Sequence, residues 1–277
     1  MDTTTWPAGR AEPAPTTPTS PAPGPAGSQL RPLVLFGAVA VPTGWVLLSI
    51  PVLLDLPVSP FVIPTLLLGL VLPALVLSRR DPATSARTLL RDTVRRPRPL
   101  LAAIPAVAVL PAAVWLVARA LGVAEHLDAA LLAGLAVNIG SSVVIINLWE
   151  EMAWTGFFQR RAMARWGTAA GSLVTAALFV AVHLPLAFAL AEDAGDVLAG
   201  LAVLVVSGIG MRLLVAGTDA WSGHSIVAVA LLHAGFNAAA DVVDPGHDRV
   251  RYLVTLGLGL LALTVLTARS RTGGGRS

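Results

Sequence analysis

Cysteine is absent from the 277 residues, and so is lysine. The first absence excludes disulfides, iron–sulfur clusters, thiolate nucleophiles and thiolate metal ligands. The second means that all 19 basic residues are arginine, as expected of a GC-rich genome. Charge of either sign is scarce at 13%, against about 25% in an ordinary soluble domain. A soluble enzyme, a disordered chain and a coiled coil are thereby excluded as descriptions of the whole. The sequence has 55% apolar residues and a mean hydropathy of +0.76. These values describe an all-α, polytopic membrane helical bundle. The calculated pI near 10.8 does not indicate nucleic acid, because the net charge is only +3 and the arginines flank apolar spans.

Residues 1–29, with seven prolines and six threonines, read as a disordered cytosolic tail and not as a signal peptide. Residues 30–268 form the transmembrane domain and 269–277 a short basic tail. A helix needs about 20 apolar residues to cross a bilayer. About eight segments qualify: Leu33–Leu54, Leu56–Leu77, Leu100–Ala118, Leu131–Phe158, Trp166–Ala191, Val197–Val215, His224–Ala240 and Tyr252–Ala268. The fourth is too long for one crossing and must tilt or overrun. Arginines in the tails, in the loop Ser78–Pro99, after span four and at Arg212 place 16 of the 19 on one side. Arg119, Arg249 and Arg251 share the other side with seven acids. By the positive-inside rule both termini are expected in the cytosol of a multi-pass cell-membrane protein.

Polar side chains inside these spans carry the chemistry. Span four contains Asn147-Leu148-Trp149-Glu150-Glu151-Met152-Ala153-Trp154-Thr155-Gly156-Phe157-Phe158. Each intramembrane acid costs roughly 2.5–3.5 kcal/mol on insertion scales. Glu150 lies about 15 Å deep if Arg160 marks the interface. Adjacent helical positions point about 100° apart, so one acid is expected to face a cavity and the other to make structural hydrogen bonds. His183 is the strongly polar side chain of span five. His233 and Asn237 of span seven are i and i+4, on one face. Taken singly, each has an ordinary structural reading as a core histidine or an interhelical clamp. Together they are the parts of a hydrolytic centre: a carboxylate and a histidine to deprotonate water, a histidine and an amide to stabilise an oxyanion. The same residues also suit a divalent metal with an attacking water. A His-Glu-x-x-His helix and a Gly-x-Gly-Asp span are both lacking, and Ser141 and Ser142 read as packing residues.

The motifs Glu150-Glu151-x-x-x-Thr155, Phe179-x-x-x-His183 and His233-x-x-x-Asn237, with Trp221-Ser222-Gly223-His224-Ser225 leading into the third, resemble the CPBP family. That family comprises CAAX proteases and bacteriocin-processing enzymes and is also called Abi. The similarity covers roughly residues 130–240. It implies an eight-helix intramembrane endopeptidase with a cavity open to the cytosol. In it Glu150 and His183 would activate water, His233 and Asn237 would form the oxyanion site, and Glu151 would be a supporting acid. Implied partners are the lipid bilayer and a membrane-associated peptide or protein substrate. A divalent metal such as zinc or a metal-free glutamate mechanism both remain open. The family's first motif often carries arginine where this chain has Thr155. The alternatives are an inactive scaffold or immunity-type protein in the same cavity, and a transporter with Glu150 as proton carrier. The absence of an internal repeat weighs against the transporter.

Overall fold

The computed structural model describes residues 30–79, 85–95, 103–189 and 191–273. The expected tail 1–29, residues 80–84 and 96–99 of the arginine-rich loop, and the end of the basic tail lie outside the described residues. Among the described residues the chain is helical, apart from one isolated bridge between Ala124 and Val243. The elements are α1 (Leu30–Leu54), α2 (Ser59–Ser78), a short α3 (Ala86–Thr93), α4 (Ala103–Leu121), α5 (129–166), α6 (168–183), α7 (Ala194–Trp221), α8 (Ile226–Ala238) and α9 (Arg249–Gly273). Six stretches are long and apolar enough to cross a membrane; one of them runs through both α5 and α6, and α8 is shorter. Large apolar side chains such as Leu53, Val46, Val137, Val144 and Leu198 lie exposed on the outside, as lipid contact requires. The chain is a multi-pass membrane helical bundle.

The expected spans and the helices agree closely, with three differences that have local causes. The reversal between spans four and five falls at Gly167, whose φ of +81° ends one helix and starts the next. Only glycine adopts that conformation without strain. Gly171 then packs against the backbone of Ala162 and Met163, closing the hairpin. Helix α6 stops at His183, because Pro185 follows and the chain tightens into a 3₁₀ turn over Leu184–Phe188. The third difference is a correction: Arg212 does not end span six. Helix α7 runs on to Trp221, and Arg212 is fully buried inside it.

The core that positions the polar groups is aromatic. Phe36 of α1 packs its ring against Trp154, Phe157 and Phe158 of α5, at centroid distances of 5.6, 5.3 and 5.5 Å. Leu66 and Leu70 of α2, Leu89 of α3 and Val182 of α6 complete this cluster. On the other side, α8 lies against α4 and α7 through Leu110, Met211, Val215, Val229 and Leu232. Helix α8 is drawn very close to α4 by a matched pair of residues. Pro111 lacks the N–H that would bond the carbonyl of Val107, and Gly235 brings its backbone onto that carbonyl.

Candidate functional site

Helix α5 winds as i→i+5 turns over Val143–Asn147 and Met152–Gln159, on either side of Leu148–Glu151. Such wide turns inside a helix rotate the following side chains and are common at functional sites. Here they frame the two acids. Glu151 is fully buried. Glu150 is 8% exposed, and its carboxylate makes no hydrogen bond among the described residues.

Glu151 is saturated. Arg212 donates to it through both terminal nitrogens, Nη2 to Oε1 at 2.7 Å and Nη1 to Oε2 at 3.0 Å. Thr155 donates its hydroxyl to Oε2 at 2.5 Å, and His233 Nδ1 meets Oε1 at 2.7 Å. Four donors fill the four lone-pair directions of a carboxylate, so Glu151 is an ionised acceptor and His233 Nδ1 carries the proton. Nε2 of His233 is then left with its lone pair. The same logic applies to His183, whose Nδ1 lies 2.7 Å from the carbonyl of Phe179. A carbonyl only accepts, so Nδ1 is the protonated nitrogen and Nε2 is the free base.

Phe179 is the common wall of the site. Its ring lies 4.3 Å from that of His183, 6.4 Å from that of His233 and 5.5 Å from Trp154, with the Arg212 guanidinium 4.8 Å from its centroid. His183 is half-buried, and Glu150, His233 and Arg212 are the ionisable groups around it. The structure therefore draws Glu150, Glu151, His183 and His233 together from α5, α6 and α8. Asn237 stands one turn beyond His233, half-buried, with no side-chain hydrogen bond among the described residues. Arg251 of α9 steadies that turn by donating to the carbonyls of Phe236 and Asn237, and its guanidinium lies against the Phe236 and Tyr252 rings. Such a cation suits a helix C-terminus.

A second polar knot fixes where α8 begins. Asp219, near the end of α7, is buried and accepts from Arg160 Nη2 at 2.6 Å, Arg160 Nε at 3.2 Å and His224 Nδ1 at 2.8 Å. Gly223 and His224 both have φ in the left-handed region, at +68° and +63°. Arg95 donates to the Gly223 carbonyl and accepts through its own carbonyl from Ser225 Oγ, and Ser225 caps α8. The loop is thus anchored from α5, α7 and the segment after α3.

One site residue escapes a reading of the sequence: Arg212 looks like a topology marker, although a buried Glu151 with only a threonine at i+4 calls for a cation elsewhere. Thr155, conspicuous in the sequence, completes the shell of Glu151 with its hydroxyl. The other histidines stand apart: His224 belongs to the Asp219 knot, and His126 and His247 lie at the far end.

The fit of a metal is decided by the donors. Two histidines and a carboxylate are a suitable zinc set in kind. No group of three His, Asp or Glu among the described residues is arranged to hold a metal ion. Glu151 is fully engaged with Arg212, Thr155 and His233, which removes it as a ligand. The donors left over, Glu150 with Nε2 of His183 and of His233, suit a metal in kind but are not gathered as three about one point among the described residues.

Residues 130–239 match the model of a family described as Rce1-like, type II CAAX prenyl endopeptidase. The matched segment begins in α5 and ends just past α8, so it contains every residue of the cluster. No curated protein matches the chain.

Proposed function

The chain carries an Rce1-like segment, consistent with the CPBP family and, at family level, with CAAX-type intramembrane proteases; from this premise we propose that it hydrolyses a peptide bond in a membrane-associated peptide or protein. The observation that carries the reading is the pairing of an unengaged carboxylate with an unengaged base. Glu150 has no hydrogen bond among the described residues, and His183, its electrostatic neighbour, is pinned with Nε2 free.

A water between them gives its proton to Glu150 while His183 Nε2 orients it through a second hydrogen bond. The resulting hydroxide oxygen adds to the scissile carbonyl carbon, and the carbonyl π pair moves onto oxygen. Asn237 donates its amide to that oxyanion. His233 donates as well when its Nε2 has first taken a proton from solvent water; it keeps that proton throughout, with Glu151 behind Nδ1 balancing the charge. Collapse re-forms the carbonyl and breaks the C–N bond. Glu150 returns its proton to the leaving amine. Every step uses groups of this chain and water.

The test compares membrane peptides from cells carrying the wild type and Glu150→Gln. The amide keeps size but cannot take a proton from water, so cleavage should fall by on the order of 10²–10⁴-fold. Unchanged cleavage products in a folded Glu150→Gln protein would end this reading.

A further inference from the structure

Arg212 is the feature least expected from the sequence and the most constrained by the structure. It is a fully buried guanidinium in the interior of α7, facing a fully buried carboxylate of α5. Its Nε has no hydrogen-bond partner. As a mere anchor between two membrane helices this is a poor choice. A buried ion pair exchanged for well-packed apolar residues is often neutral or better for stability. An incompletely satisfied one has still less to recommend it.

What the pair does achieve is directional. Arg212 Nη2 and His233 Nδ1 bond the same oxygen, Glu151 Oε1. The two-pronged fork of Arg212 fixes the plane of the carboxylate, and that plane fixes where the imidazole N–H must point. Thr155, at i+4 from Glu151, holds the other oxygen. From that position an arginine would reach the same carboxylate along the helix.

We propose that Arg212 is a positioning residue for His233: acting through Glu151, it keeps the imidazole proton on Nδ1 and Nε2 free for the site, supplying from α7 the guanidinium that position 155 would otherwise supply from α5. The consequence for turnover rests on the hydrolytic reading above; the geometry does not. The Thr155 hydroxyl and the Arg212 guanidinium together hold Glu151 here; an arginine at 155 with alanine at 212 is the arrangement the double variant below builds. The swap conserves charge, and the volume vacated at 212 receives the new side chain.

The experiment uses the full chain in detergent micelles, labelled with ¹⁵N-histidine, with the His233 signals identified by their loss in His233→Gln. The wild type should show His233 protonated at Nδ1, with a slowly exchanging downfield proton. Arg212→Met should lose that proton and show mixed tautomers. The double variant Arg212→Ala/Thr155→Arg should regain it. Should Arg212→Met fail to fold, Arg212→Lys provides the contrast: it keeps the charge without the fork, and the Nδ1 proton should exchange faster. Cleavage in cells should fall on the order of 10–100-fold in Arg212→Met, the usual cost of losing a partner that orients a functional histidine, and recover in the double variant. A folded Arg212→Met protein that keeps the Nδ1 proton would overturn the proposal. So would a double variant that regains its melting temperature but not that proton. If the wild type cleaves nothing while the tautomer responds as described, the hydrolytic reading fails and the role of Arg212 stands.

Discussion

Glu150 and Glu151 are neighbours in the chain and opposites in circumstance. Glu151 spends every lone pair on Arg212, Thr155 and His233, while Glu150 spends none on the described residues. Their amide variants should therefore separate. Glu150→Gln should fold with a melting temperature near that of the wild type. Glu151→Gln turns one acceptor oxygen into a donor facing other donors and strands a buried guanidinium, at a cost of about 3–5 kcal/mol. Thermal unfolding in detergent checks both; a Glu151→Gln protein as stable as the wild type would contradict the saturated shell. The polar positions gathered around Phe179 are legible in the sequence, because any Glu or His in an apolar run is conspicuous. Their division of labour is legible only as an alternative, since a helical spacing says that two adjacent acids diverge and not which one meets a partner. Arg212 is misread for the same reason: hydropathy registers the depth of a charge, whereas its meaning comes from an acid 61 residues away.

At the level of elements, the placement of His233 depends on how α8 is seated. Ser225 and the Asp219 knot hold its start, and Gly235 seats its middle on α4. A Cβ at 235 would stand 2.5 Å from the Val107 carbonyl oxygen, a backbone atom with nowhere to retreat. Gly235→Ala should push α8 off α4 and lower stability by about 1–3 kcal/mol, the range for overpacking. It should also weaken cleavage, because His233 is two residues away. A melting temperature unchanged from the wild type would show that α4 yields more easily than its packing suggests. The number and order of the spans are legible from hydropathy. Where they stop is decided by Gly167, Pro185 and the Asp219 knot, which are local or tertiary features that an apolar window averages away. The wide turns of α5 have no sequence signature at all; the second of them carries Trp154, Phe157 and Phe158 against Phe36.

For the whole molecule, the asymmetry of charge survives the correction at Arg212. The end of α5 with Arg160, Arg161 and Arg165, and α3 with Arg87, Arg91 and the following Arg95, form an arginine-rich end beside the α7–α8 loop; Glu125, Asp128, Glu192, Asp193, Asp244 and Asp248 lie at the other. We infer that the arginine-rich end and both termini face the cytosol. Reporter fusions after Leu77 and after Glu192 should report opposite sides, and agreement between them would overturn this topology. The assembly of the polar cluster also has a direction in time. Glu151 is synthesised 61 residues before Arg212 and 82 before His233. While the ribosome is still making α6 and α7, a growing chain holds two membrane-depth acids with no counter-charge. The cluster closes only when α8 has arrived. A product truncated before Arg212 therefore carries two acids at membrane depth without their counter-charge and lacks His233, so the order of synthesis acts as a safety catch on whatever chemistry the finished bundle performs.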